Sequence, residues 1–140
     1  MKHKGCFFEY ETERNDDLLR VYREKISQAK KINLSTLLVE VVNSPSKRFW
    51  VSEERATCVV AAMLRGERID FIKSNKMEMF KEIYRRVLAL HDKYPKRSIK
   101  DLVFDVVRQP APKFYLTPGS AKVLLCKIKK KWYQKRRITK

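Results

Sequence analysis

Displacing the chain against itself by 65 residues superimposes Leu37–Ala56 on Leu102–Ala121 without a gap. Leu37/Leu102, Val41/Val106, Val42/Val107, Pro45/Pro110, Phe49/Phe114 and Ala56/Ala121 are identical. Leu38/Val103, Glu40/Asp105, Arg48/Lys113, Trp50/Tyr115, Val51/Leu116 and Ser52/Thr117 keep their chemistry, so twelve of twenty positions agree. Upstream, a displacement of 62 aligns Val21, Tyr22 and Arg23 with Ile83, Tyr84 and Arg85, which places a three-residue length difference in the intervening loop. A chain built this way has to fold as two similar units of about 65 residues, because internal similarity at a fixed period is the signature of a repeated supersecondary element.

Each unit reads as three helices. The first runs from about Asp16 to Lys30 in one copy, with Leu18, Leu19, Tyr22 and Ile26 on one face. Its counterpart runs from about Lys76 to Lys93, with Met79, Phe80, Ile83, Tyr84, Val87 and Leu88. The second helix begins after Asn33 or Ser98, residues whose side chains accept from first-turn amides, and Asp101 three places after Ser98 resembles a capping box. Leu34, Leu37, Leu38, Val41 and Val42, matched by Ile99, Leu102, Val103, Val106 and Val107, recur at helical spacing. The β-branched run in residues 39–42 and the Pro-bearing segment after it would equally suit a hairpin leading into Phe49, Trp50 and Val51. The third helix starts at Ser52 or Thr117, with Glu53 and Glu54 at one N-terminus and Pro118 at the other, and Gly66 closes the first copy.

The expectation is therefore an all-α protein of two tandem three-helix repeats, helix-turn-helix-like and packed together, with a basic C-terminal helix. Its divisions are an N-terminal segment at 1–15, repeat 1 at 16–71 and repeat 2 at 72–140. The loop between second and third helices is about nine residues, longer than the three or four of a standard helix-turn-helix. That argues against a standard recognition-helix arrangement.

Charge separates the two third helices. The chain carries a formal net charge of +17, and past Asp105 there is no acidic residue while eleven basic ones follow. A single-sign run of this kind repels itself and calls for a polyanion. In the first copy Ala56, Cys58, Val59, Val60, Ala61, Ala62, Met63 and Leu64 are apolar nearly all round, the composition of a core helix. In the second, Ala121, Leu124, Leu125 and Ile128 form a packing face, and Lys122, Lys127, Lys129, Lys130 and Lys131 project elsewhere. Trp132, Tyr133, Lys135, Arg136 and Arg137 follow.

The string of basic, aromatic, aromatic, aliphatic and hydroxyl residues occurs twice, as Arg48–Ser52 and Lys113–Thr117. A cation beside an aromatic ring, just before a capped helix, suits a phosphate contact. Phe49 and Phe114 are assigned to the core, while Trp50 and Tyr115 suit a half-wet position that either packs or stacks. The candidate nucleic-acid-binding set is then Arg48, Trp50, Lys113, Tyr115, Lys122, Lys127, Lys129, Lys130, Lys131, Lys135, Arg136 and Arg137.

Chemistry-bearing motifs are sparse. His3 and His91 have no Cys or carboxylate at metal-ligand spacing, and three glycines make no phosphate loop. No catalytic residue, metal site or cofactor is expected. Cys6, Cys58 and Cys126 show no C-x-x-C spacing and read as reduced thiols; two of them fall inside apolar stretches, where Cys behaves as a small core residue. The apolar run Cys6–Phe8 is too short for a signal-peptide core and no segment approaches a bilayer span, so a cytoplasmic location is expected.

These features favour a non-enzymatic binder of double-stranded DNA, acting as a regulator or accessory protein. The alternatives are an RNA- or ribosome-binding protein, and a structural or interaction protein of a phage or mobile element that pairs with itself or another protein. A membrane-surface helix with Trp132 and Tyr133 at the interface fits less well, because Gln134 interrupts it and no large apolar stripe extends beyond Ile128.

Overall fold

A computed structural model describes residues 4–69 and 72–138, with side-chain surroundings for 11–69 and 72–131. The order is α1 (Lys4–Gln28), α2 (Leu34–Val42), α3 (Glu53–Leu64), α4 (Ser74–Lys93), α5 (Ile99–Val107) and α6 (Pro118–Ile138). The described residues contain no strand, only an isolated bridge between Ser46 and Ala111, so the hairpin reading of residues 37–51 gives way to a helix and an irregular connection. Helix α1 begins at Lys4 and not near Asp16. Residues 4–15, expected as a separate N-terminal segment, are its first turns. The apolar periodicity starts only at Leu18, but no Gly or Pro lies between Cys6 and Asn43 to stop a helix from running further back.

Side chains fix the helix starts. Asn33 Oδ1 accepts from the Thr36 amide at 3.4 Å, Ser52 Oγ from Arg55 at 3.1 Å and Ser98 Oγ from Asp101 at 3.2 Å. Thr117 Oγ1 accepts from Ser120 at 3.0 Å, with Pro118 in the first helical position. Each such cap contributes about 1 kcal/mol. Helix α3 ends on Gly66 at φ 74°, with the Gly66 amide donating to Met63 O at 3.1 Å and the Glu67 amide to Ala62 O at 3.0 Å. This pair of bonds is a Schellman motif, which needs a left-handed residue that glycine supplies without strain.

The helices sort into two units, one made of residues up to Ser44 and from Pro112 onward, the other of Pro45–Ala111. In the first, α1, α2 and α6 pack on one another around Leu18, Val21, Leu37, Leu38, Val41, Val42, Phe114, Ala121 and Leu125. In the second, α3, α4 and α5 pack around Phe49, Ala56, Val59, Val60, Phe80, Ile83, Val87, Leu102, Val103, Val106 and Val107. The packing units thus differ from the sequential division into 16–71 and 72–140: each takes two helices from one half of the sequence and its third from the other. Connection length permits this. Residues 43–52 and 108–117 separate the helices, and a ten-residue extended segment reaches ~33 Å, whereas a three-residue turn would hold the third helix against its own pair.

The backbone bonds of the two connections correspond residue for residue. Ser46 and Ala111 each donate to the other's carbonyl, at 3.0 and 3.1 Å. The Phe49 amide donates to Val107 O at 3.0 Å, and the Phe114 amide to Val42 O at 3.0 Å. Replacing every residue by its counterpart 65 positions away maps 46 onto 111, 49 onto 114 and 42 onto 107, and so returns the same four bonds.

Two expectations about α3 and the thiols are corrected. Helix α3 buries one face, Ala56, Val59 and Val60, while Leu64 is 42% exposed, so it is not buried all round. Cys58 and Cys126 are exposed and not core residues. Both sit in apolar runs, and within such runs composition does not reveal which side of the helix faces water.

Candidate nucleic-acid interface

Helix α6 has two sides of opposite character. Ala121 and Leu125 are buried, Leu124 and Ile128 half-buried, and together they seat the helix against α1 and α2. Lys122, Lys127, Lys129, Lys130 and Lys131 are all exposed, and residues 112–140 hold ten Lys or Arg and no carboxylate side chain. Among the described residues, none of the ion pairs engages an α6 lysine. Their charge is left to solvent and to whatever anion approaches.

One of the five is tethered by another route. The Lys129 ammonium lies 4.8 Å from the centroid of the Tyr22 ring and donates to the Tyr22 hydroxyl at 3.2 Å. The ring face attracts the cation and the hydroxyl takes one of its three donors, which holds α6 to α1 at this point. Nothing in the sequence signals it, because the two residues lie 107 positions apart.

The two copies of the aromatic string behave differently. The Arg48 guanidinium bonds Phe49 O at 3.1 Å, Val51 O at 3.0 Å and Glu53 Oε1 at 3.1 Å, and lies 5.6 Å from the Trp50 ring. Arg48 is therefore an inward brace that shapes the start of α3. Lys113 sits 5.4 Å from the Tyr115 ring and is half-exposed, immediately upstream of α6. Trp50 and Tyr115, read as half-wet, are both buried, and Tyr115 holds a φ of 58°. That is a left-handed value worth roughly 1–2 kcal/mol of strain in a non-glycine residue.

Of the sequence-derived set, then, Lys122, Lys127, Lys129, Lys130 and Lys131 come together on one helix, with Lys113 and Tyr115 leading into it in the same unit. Arg48 and Trp50 belong to the other unit. The side chains of Lys135, Arg136 and Arg137 lie outside the described residues. Sequence reasoning passed over Val123, which is 53% exposed on α6, and Cys126, which shares its outward side.

Several charged groups outside α6 pair with one another. In the second unit Arg86 bonds Glu82 at 2.8 Å and Pro110 O at 3.0 Å and lies 4.9 Å from the Phe49 ring, joining α4 to both connections. Hydrogen bonds from Arg85 first, and from Arg86, hold the Glu82 carboxyl below the usual carboxylate range against the opposing effect of burial. Asp101 and Asp105 hold the Arg97 guanidinium above its ordinary value. Among the described residues no cluster of three or more His, Cys, Asp or Glu is placed to hold a metal ion, and no helix is long and apolar enough to cross a membrane. No protein-family model, curated protein or solved structure matches the chain.

Proposed function

We propose that this protein is a non-enzymatic nucleic-acid-binding protein, cytoplasmic, with double-stranded DNA as its ligand and α6 as the contact element. The observation that carries the reading is the lysine face of α6, exposed, single-signed and without a carboxylate partner, on a helix whose other side is seated in a core. Lysines arrayed on a rigid helix neutralise phosphates at fixed spacing, and the counterions released supply affinity without any base being read. On this reading the two halves of the chain are tandem copies of one helical unit, and only the second copy has a third helix lined with lysines. Lys113 lies upstream of α6 and adds to its field, whereas Arg48, its counterpart, is retained for its brace.

A salt series tests this. Purified protein is titrated with duplex DNA, structured RNA and anionic vesicles from 50 to 300 mM salt. Duplex DNA should be bound most tightly and with a steep salt slope, which Lys122→Gln, Lys127→Gln and Lys131→Gln together should reduce by about 2.7, at about 0.9 for each phosphate that is no longer neutralised. Tighter binding to vesicles or to RNA, or an unchanged slope in the triple variant, refutes the assignment.

A further inference from the structure

The angular placement of the exposed residues on α6 carries more than their charge. At about 100° per residue, Ala121, Leu125 and Ile128 define the seated line of the helix. Lys122 and Lys129 fall roughly 90° to one side of that line, and Lys127 and Lys131 roughly 100° to the other. Val123, Cys126 and Lys130 lie between the two pairs, opposite the core. All seven are exposed. The helix therefore has two lysine flanks and a tip that carries one aliphatic residue, one thiol and one cation.

A flat polyanionic surface would be met by charges gathered at the tip. Two charged flanks about a less charged tip instead fit a trough with phosphates on both walls. The major groove of B-form DNA is ~12 Å wide and admits a helix ~10–12 Å across. The major groove of an A-form RNA duplex is too narrow and deep for one.

We propose that α6 enters the DNA major groove tip first, with Lys122 on one phosphate wall, Lys127 and Lys131 on the other, and Val123, Cys126 and Lys130 facing base edges. This rests on the nucleic-acid-binding reading and adds a groove, an orientation and three base-facing residues. Val123 supplies apolar contact of the kind a thymine methyl accepts, and Lys130 can donate to guanine O6 and N7. Cys126 is small enough to allow close approach. Lys129, held on Tyr22, is a positioning residue that sets how α6 is presented.

The test is methylation protection by dimethyl sulfate, which modifies guanine N7 in the major groove and adenine N3 in the minor. Full-length protein is saturated onto 12-base-pair mixed-sequence DNA and RNA duplexes. Protection of guanine N7 with adenine N3 left reactive is the expected result, together with weaker binding of the RNA duplex. Cys126→Asp, which puts a carboxylate at the tip, should abolish N7 protection without lowering the melting temperature, since the site is exposed. Lys130→Gln provides a second tip variant and should weaken guanine protection selectively. Lys127→Gln with Lys131→Gln should lower the salt slope by about 1.8 and keep the N7 pattern at saturation. Protection of adenine N3 alone, equal binding of the RNA duplex, or tip and flank variants that behave alike would overturn the orientation while leaving nucleic-acid binding intact. Absence of binding to either duplex at low salt overturns both readings.

Discussion

Cutting the chain once between the third and fourth helices separates two accounts of how the halves are held. A protease site inserted between Glu67 and Arg68, in the exposed turn after α3, leaves every helix whole. If each half were a self-contained three-helix domain, the two fragments would part or be held only by a surface contact. In the observed arrangement the first fragment supplies Phe49, Ala56, Val59 and Val60 to the core of α4 and α5, while the second supplies Phe114, Ala121 and Leu125 to that of α1 and α2. Five of these seven are large apolar side chains, at about 1.5–3 kcal/mol each for full burial, so separation forfeits roughly 8–15 kcal/mol. That equals the whole stability of an ordinary domain. Separation and unfolding become one event.

The nicked protein should accordingly elute as a single species near the intact mass of 16.7 kDa and come apart only in denaturant. Because the fragments then fold only together, its melting temperature should rise with concentration, as it does for an obligate dimer, whereas that of the uncut chain should not. The readout is size-exclusion chromatography with light scattering, followed by melts across a hundredfold concentration range. Separation of the fragments in plain buffer, or a helical signal retained by either fragment alone, would refute the exchanged packing.

Three further outcomes follow from single side chains. Gly66→Ala should destabilise by about 1 kcal/mol, because a Cβ there meets nothing within 4 Å and the only penalty is the positive φ; a melt unchanged by the substitution would remove the Schellman assignment. The Glu82 carboxyl is lowered in the fold, so its contribution is complete above the unfolded glutamate value near ~4.3 and is lost as pH falls through the folded one. Melts from pH 6 to pH 3 should fall less steeply in Glu82→Gln than in the parent, and parallel curves would contradict this. Trp50→Ala should cost about 3–5 kcal/mol of stability with duplex affinity little changed, while Lys113→Ala should lower affinity and cost the melt no more than about 1 kcal/mol, the worth of its contact with the Tyr115 ring. Equal stability losses in the two would mean that their loops do the same job.

Local structure was legible where a residue acts on its own neighbours. Ser52, Ser98 and Thr117 mark helix starts because a hydroxyl reaches an amide three residues on, and the apolar spacing of Leu102, Val103, Val106 and Val107 marks a buried face. Partner choice was not legible. An apolar stripe states that a face is to be buried and not what buries it, so the same pattern on α3 serves α1 and α2 or α4 and α5 equally well. Only the length of the connections hinted at exchange. The brace formed by Arg48 was hidden for a related reason: beside Glu53, its acceptors are carbonyls of residues 49 and 51, which every sequence has and none advertises.

The asymmetry between the third helices is tied to how each one stops. Counted 65 residues apart, Lys122, Lys127, Lys129, Lys130 and Lys131 stand against Thr57, Ala62, Leu64, Arg65 and Gly66. On the proposed duplication, one difference therefore does two things. Where the first copy has Gly66 at a positive φ to end α3 after 12 residues, the second has Lys131, which favours continued helix, and α6 runs for 21. Extension and charge arrive in the same stretch: Lys127, Lys129, Lys130 and Lys131, all exposed, occupy the positions that correspond to the end of α3. On the proposed function, the first copy cannot acquire the nucleic-acid-contacting role of α6 by charge alone. Placing lysines on α3 would leave them on a helix that Gly66 ends where its packing face does, so converting α3 into a second binding element requires Gly66 to change as well.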